Sequence, residues 1–80
     1  MINVLFFARL KDDIGQAGIE LDDSYAGKTL AQIQQVLIEQ GLSALKDDSI
    51  RVALNKNFCT PELVVNAGDE VAFMPPVTGG

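Results

Sequence analysis

The strongest helix signal in this 80-residue chain begins at Thr29, and the rest of the fold has to be built around it. Thr29 followed by Gln32 fits a capping box, in which each side chain satisfies the other's backbone N–H. Leu30, Ile33, Val36 and Leu37 then fall on one side of a helical period, with Gln32, Gln34, Gln35 and Glu39 off that stripe. Gly41 supplies a C-terminal stop. The stripe reads as a core face packed on a sheet rather than as a free binding helix. Leu42 and Leu45 continue the same core through a less regular connection.

The flanking segments have the period of strands. Ile2 to Ala8 is short, apolar and aromatic-rich, and if Val4 and Phe6 face the core, Leu5 and Phe7 point the other way. Leu10 to Gly18 suits a loop or a single helical turn. Ile19 to Asp22 alternates as a half-exposed strand does, returning antiparallel to the first. Ile50 to Leu54 is a third strand, ended by the turn Asn55-Lys56-Asn57, after which Phe58 to Thr60 resumes a short strand before Pro61. Asn66-Ala67-Gly68-Asp69 is a second turn. Glu70 to Met74 is the last strand, with Val71 and Phe73 on one face and Ala72 and Met74 on the other. The order predicts an α+β class, a sheet with one main helix packed on one face. Leu5, Phe7 and Met74 then point away from the helix, and Phe58 sits beside a turn. Two outcomes remain open: an exposed docking patch, or a face covered by irregular connections.

Composition narrows function by exclusion. The chain has no histidine, which removes Ser-His-Asp and Cys-His catalysis and histidine-ligated metal sites. Cys59 is the only cysteine, so no internal disulfide or cysteine metal cluster is expected, and it reads as a small hydrophobe. A net charge of −5, from eleven acids against six bases, repels a phosphate backbone and argues against nucleic acid. The pairs Asp12-Asp13, Asp22-Asp23 and Asp47-Asp48 read as solvated turns. No stretch approaches a membrane span, and Met1-Ile2-Asn3 lacks a basic signal-peptide start, so a soluble, cytoplasmic protein is expected.

The C-terminal segment has a different character. A compact domain is expected over residues 1–74 and an extended, flexible tail over 75–80. Pro75 and Pro76 favour a stiff, extended path, followed by Val77, Thr78, Gly79 and Gly80. A glycine pair lets backbone enter a channel too narrow for side chains, with a carboxylate on Gly80 at its end. Such a tail suits delivery into another protein's active site. The plain alternative is a frayed terminus.

The block GDEVAFMPPVTGG, Gly68 to Gly80, resembles the C-terminus of the molybdopterin synthase small-subunit family, and the opening MINVLFFARL is similar to that family's first strand. The resemblance spans the chain and is most specific at its two ends. It implies a β-grasp, ubiquitin-like fold with a mixed sheet, and a sulfur-carrier role in molybdenum cofactor biosynthesis. On that pattern a ubiquitin-activating-like adenylyltransferase adenylates Gly80 with ATP. A sulfur donor protein then converts it to a thiocarboxylate, and the tail inserts into the large synthase subunit to sulfurate cyclic pyranopterin monophosphate. Gly80 would carry the reactive group and Gly79 the thin approach. Pro75, Pro76, Val77 and Thr78 would form the inserted stem, with Phe7, Phe58 and Met74 on the face that meets partners. Met74 stands where an aromatic is common in the family. The resemblance implies no metal or cofactor held by this chain, with catalytic residues on the large subunit, and a heterotetramer of two large and two small subunits. Other classes share the Gly-Gly ending: a ubiquitin-like protein modifier, a sulfur carrier for thiamine, tRNA thiolation or cysteine, and a binding module with an inert tail.

Overall fold

A computed structural model describes residues 1–75. The expectations for Pro76, Val77, Thr78, Gly79 and Gly80, including a flexible tail, lie outside the described residues. The elements run β1 (Ile2–Phe6), α1 (Arg9–Ile14), β2 (Gly18–Leu21), α2 (Leu30–Glu39), β3 (Arg51–Leu54), β4 (Asn57–Cys59) and β5 (Glu70–Met74). Short 3-10 turns span Asp23–Tyr25 and Ser43–Lys46. The strands form one mixed sheet in the order β2-β1-β5-β3-β4. β1 and β5, the first and last strands, are parallel neighbours at its centre, and the other pairings are antiparallel. This is the α+β arrangement that the helix and strand periods imply.

Strand parity builds the core. Ile2, Val4 and Phe6 of β1 and Val71 and Phe73 of β5 point to the face occupied by α2 and are buried. The Phe6 and Phe73 rings stack with centroids 6.2 Å apart. Leu30, Ile33 and Leu37 of α2 are fully buried against this layer, whereas Val36 is only half-buried at the edge of the stripe. Leu45 is buried as well, so the connection after α2 does continue the core. Each such side chain contributes roughly 1.5–3 kcal/mol on burial. Gln34, placed off the stripe by periodicity, is half-buried, and its Nε2 donates to the Leu45 carbonyl at 2.8 Å.

The start of α2 forms as its capping box predicts. Thr29 Oγ1 accepts from the Gln32 N–H at 3.1 Å, and Gln32 Oε1 accepts from the Thr29 N–H at 2.8 Å. The next two free donors, the N–H groups of Leu30 and Ala31, are taken by the carbonyls of Leu63 and Pro61, both at 3.0 Å. The segment from Pro61 to Val65, assigned no element by periodicity, is therefore a cap on α2. Val65 is fully buried and exchanges backbone hydrogen bonds with Gly27 and Lys28.

Several boundaries differ from the sequence reading: β2 starts at Gly18 and stops at Leu21, β3 starts at Arg51, and β4 takes in Asn57 and stops at Cys59, one residue short of Thr60. β1 ends at Phe6, not Ala8, because Ala8 adopts φ 53° and cannot continue a strand. The Phe7 N–H still donates to the Phe73 carbonyl at 3.2 Å, so Phe7 keeps its place beside β5. The following segment is a six-residue helix, anchored by buried Leu10 and closed by Gly15 at φ 87°.

Candidate functional site

Among the described residues, no helix lies over the face of the sheet away from α2. Register aligns one row across all five strands there: Gly18 opposite Leu5, Leu5 opposite Ala72, Ala72 opposite Ala53, and Ala53 opposite Phe58. Two alanine methyls make a low floor, with Leu5 and Phe58 rising on either side. In the adjacent row Met74 lies opposite Arg51, and Phe7 follows at the end of β1. The result is a groove of about 240 Å³ lined by Leu5, Phe7, Ala53, Phe58, Ala72 and Met74, with Lys56 and Glu70 at its edge. Phe58 is 59% exposed and Phe7 45% exposed. Of the two outcomes left open by the sequence, the face is exposed at Phe7 and Phe58, half-buried at Leu5 and Met74, and closed at its alanine floor.

The parallel pairing of β1 and β5 decides where this groove sits relative to the tail. Parallel strands end at the same side of the sheet, so Phe7 and Met74 share the edge at which Pro75 leaves β5. Pro75 is half-buried and directly follows a groove residue. The opposite end of the same face is polar, carrying Asn3, Glu20 and Glu70. The apolar part of the face therefore borders the root of the tail.

The Phe58 wall is held by the β3–β4 turn. Asn55 and Lys56 both take positive φ, 50° and 71°, as a two-residue type I′ hairpin turn requires. Asn55 fastens this turn to β5: its N–H donates to the Glu70 carbonyl at 2.8 Å, and its Oδ1 accepts from the Glu70 N–H at 2.9 Å. Its Nδ2 donates to Asp69 Oδ1 at 3.1 Å, while Asp69 Oδ2 accepts from the Asn66 N–H at 2.8 Å. Those two donors, Asn66 first, hold the Asp69 carboxyl below its ordinary value. The Ser24 hydroxyl and N–H do the same for Asp22, and those of Ser49 for Asp47. Two of the three aspartate pairs are thus turn formers, as read from the sequence.

Phe7, Phe58 and Met74, three partner-contact candidates, come together on this face, and Pro75 adjoins them. Arg51 and Lys56 were not singled out by the sequence reading. Alternation counted back from Ala53 would have put Arg51 on the open face. Its guanidinium carbon lies 4.2 Å from the centroid of the Phe58 ring. Cys59 is half-buried on the core side, opposite Val52, where a small hydrophobe belongs. Among the described residues no cluster of three or more His, Cys, Asp or Glu side chains is placed to hold a metal ion. No helix among them is long and apolar enough to cross a membrane.

Known proteins match both the sequence and the fold. The molybdopterin synthase sulfur carrier subunit of Haemophilus influenzae is 41% identical over 83 residues, covering 100% of both chains. The solution structure of small archaeal modifier protein 1 from Methanosarcina acetivorans superposes with a TM-score of 0.79 at 23% identity, over 99% of this chain and 95% of that one. Subunit 1 or 2 in a complex of the molybdopterin-converting factor from Helicobacter pylori superposes with a TM-score of 0.69 at 21% identity, over 99% of this chain and 97% of that one. At those identities the two structures speak to the ubiquitin-like β-grasp fold alone. The ThiS family model matches residues 4–80, nearly the whole chain. With that match and the full-length identity to a curated relative, the chain belongs to the ThiS family.

Proposed function

We propose that this chain is the sulfur-carrying small subunit of a molybdopterin synthase. The observation that carries the reading is the position of the tail root: Pro75 leaves β5 at the rim of an exposed apolar groove. A partner that seats on the groove receives the tail in a defined direction. The full-length relative named a molybdopterin synthase sulfur carrier subunit supports the same assignment.

The chemistry follows from the tail's composition. A carboxylate on Gly80 is an anion at neutral pH and a poor electrophile. Adenylation by an activating enzyme, using ATP, provides AMP as a leaving group. The outer sulfur of a persulfide on a donor protein then attacks, forming the C–S bond as the C–O bond to AMP breaks. A thiol cleaves the remaining S–S bond to the donor, leaving a thiocarboxylate on Gly80 and a disulfide on the donor side. Gly79 keeps the approach thin, and Pro75, Pro76, Val77 and Thr78 serve as the stem inserted into the large subunit. Docking through Phe7, Phe58 and Met74 raises the local concentration of the sulfur at its pterin acceptor. The acid, base and binding residues for the pterin then belong to the large subunit, which fits a chain without histidine.

The test is to incubate the chain with its cognate activating enzyme, ATP and a sulfur donor, and to locate any mass change by fragmentation. Exchange of oxygen for sulfur at Gly80 is expected. Localisation separates this from oxidation of Met1, Met74 or Cys59, which adds nearly the same nominal mass. Adenylation followed by stable conjugates to lysines would instead make the chain a protein modifier. One alanine added after Gly80 is expected to leave folding intact and to abolish molybdopterin formation.

A further inference from the structure

We propose that Arg51 is a specificity determinant of the docking face, and that the large subunit seated on the groove presents a carboxylate to its guanidinium. This rests on the docking reading above and goes beyond it by naming the partner's chemistry at one point. Arg51 lies on β3 directly opposite Met74, on the open face and next to the strand from which the tail departs. Its guanidinium carbon stands 4.2 Å from the centroid of the exposed Phe58 ring, which positions the charge at the groove's rim.

A ring face engages the cation as a charge and accepts none of its in-plane N–H donors in the manner of a carboxylate fork. Among the described residues, no carboxylate lies within 4.0 Å of Arg51 and no acceptor takes a hydrogen bond from its side chain. The contrast is Arg9, which lies 4.0 Å from both Asp13 and Asp47. Glu20 and Glu70 on the open face stand opposite Asn3 in register. Glu70 is four positions along β5 from Met74 and lies at the other edge of the groove. On a chain of net charge −5, the groove is bordered by two basic groups, Lys56 and, through Phe58, Arg51, against one acid, Glu70.

Docking forces a choice on this group. A partner that closes over Phe58 also takes water from Arg51, and an unpaired charge removed from water is strongly unfavourable. A surface with a carboxylate opposite Arg51 gains a two-pronged ion pair, and one without it is rejected. Apolar contact at Phe7 and Met74 alone does not discriminate in this way. The pairing of Arg51 with Met74 also ties the recognised charge to the tail, so a correctly paired partner is in register to receive Pro75 and the residues after it.

The test is calorimetric titration of the full chain with its purified cognate large subunit, at low and at high salt, using wild type, Arg51→Lys, Arg51→Glu and Phe7→Asp. Arg51→Glu is expected to weaken binding about 100-fold at low salt. Arg51→Lys keeps the charge but loses the fork, and is expected to weaken binding about tenfold. The salt sensitivity of the wild-type complex should shrink in Arg51→Glu. Thermal unfolding of each variant checks that the fold is retained, as expected for an exposed side chain. If Phe7→Asp abolishes binding while Arg51→Glu binds as tightly as wild type with the same salt dependence, the inference is overturned and the docking reading stands. If wild type does not bind the large subunit, both fall together.

Discussion

Replacing Phe58 and, separately, Phe73 by alanine makes one chemical change on two faces of the same sheet. Phe73 is fully buried beside Phe6, so its truncation leaves a cavity and should cost about 3–5 kcal/mol of folding stability. An 80-residue domain has roughly 4–12 kcal/mol in total, so that loss takes a large share. Phe58 is 59% exposed, and burying a phenylalanine completely is worth roughly 1.5–3 kcal/mol. The exposed part therefore leaves about 1–2 kcal/mol unrealised in the free chain, to be gained when a partner covers it. Folding loses only the hidden remainder and the contact with Arg51, together about 1–2 kcal/mol. Phe58→Ala should thus unfold at a moderately lower urea concentration than wild type and weaken large-subunit binding about 5- to 30-fold. Urea unfolding and calorimetric titration read the two quantities independently. A stability loss at Phe58 equal to that at Phe73, or an affinity within twofold of wild type, would refute the assignment of Phe58 to a docking face.

Lys56 holds φ 71°, a region that costs a side-chain-bearing residue about 1–2 kcal/mol, while glycine loses about 0.5–1 kcal/mol more backbone entropy on folding. Lys56→Gly should therefore stabilise the chain by about 0.5–1 kcal/mol, read as a rise in Tm of roughly 2–8 °C; a fall in Tm would contradict the turn assignment. A Cβ added at Gly18 would stand 2.6 Å from the Val4 carbonyl oxygen, so Gly18→Ala should push β2 away from β1 and cost about 1–3 kcal/mol in urea unfolding. Asp69 has a depressed folded pKa, so its contribution is present above the unfolded value near 3.8 and is lost as pH falls through the lower folded value. Asp69→Asn should accordingly flatten the decline of stability with acid below about pH 4; an unchanged slope would mean that the Asn55 and Asn66 contacts do not favour the ionised form.

The parts legible from residue order alone are those governed by local chemistry. Thr29 and Gln32 announce the start of α2, because the capping box needs only residues three apart. The parity of Val71 and Phe73 against Ala72 and Met74 separates the two faces of β5, because side chains alternate along any strand. Asn55-Lys56 marks a turn through the tolerance of asparagine for positive φ. The apolar character of Leu5, Phe7, Phe58 and Met74 on a face turned from the helix is legible in the same way. Ala8 is the counter-example. Alanine gives no local sign of positive φ, so the end of β1 is set by the packing of α1 through Leu10 rather than by its own residue type.

Sequence by itself determined the periods, the turns, the exclusion of histidine chemistry and the tail composition, since each depends on residues close together in the chain. Tertiary structure alone decided that β1 and β5 run parallel at the centre of the sheet, since strand pairing joins residues nearly seventy positions apart and leaves no local mark. From that pairing follow the shared edge of Phe7 and Met74 and the exit of Pro75 beside the groove. The placement of Arg51 over Phe58 depends in turn on the register of β3 between β4 and β5. Residue types supplied the apolar surface and the tail; long-range pairing brought them to one edge, because register is a property of two strands and not of either one.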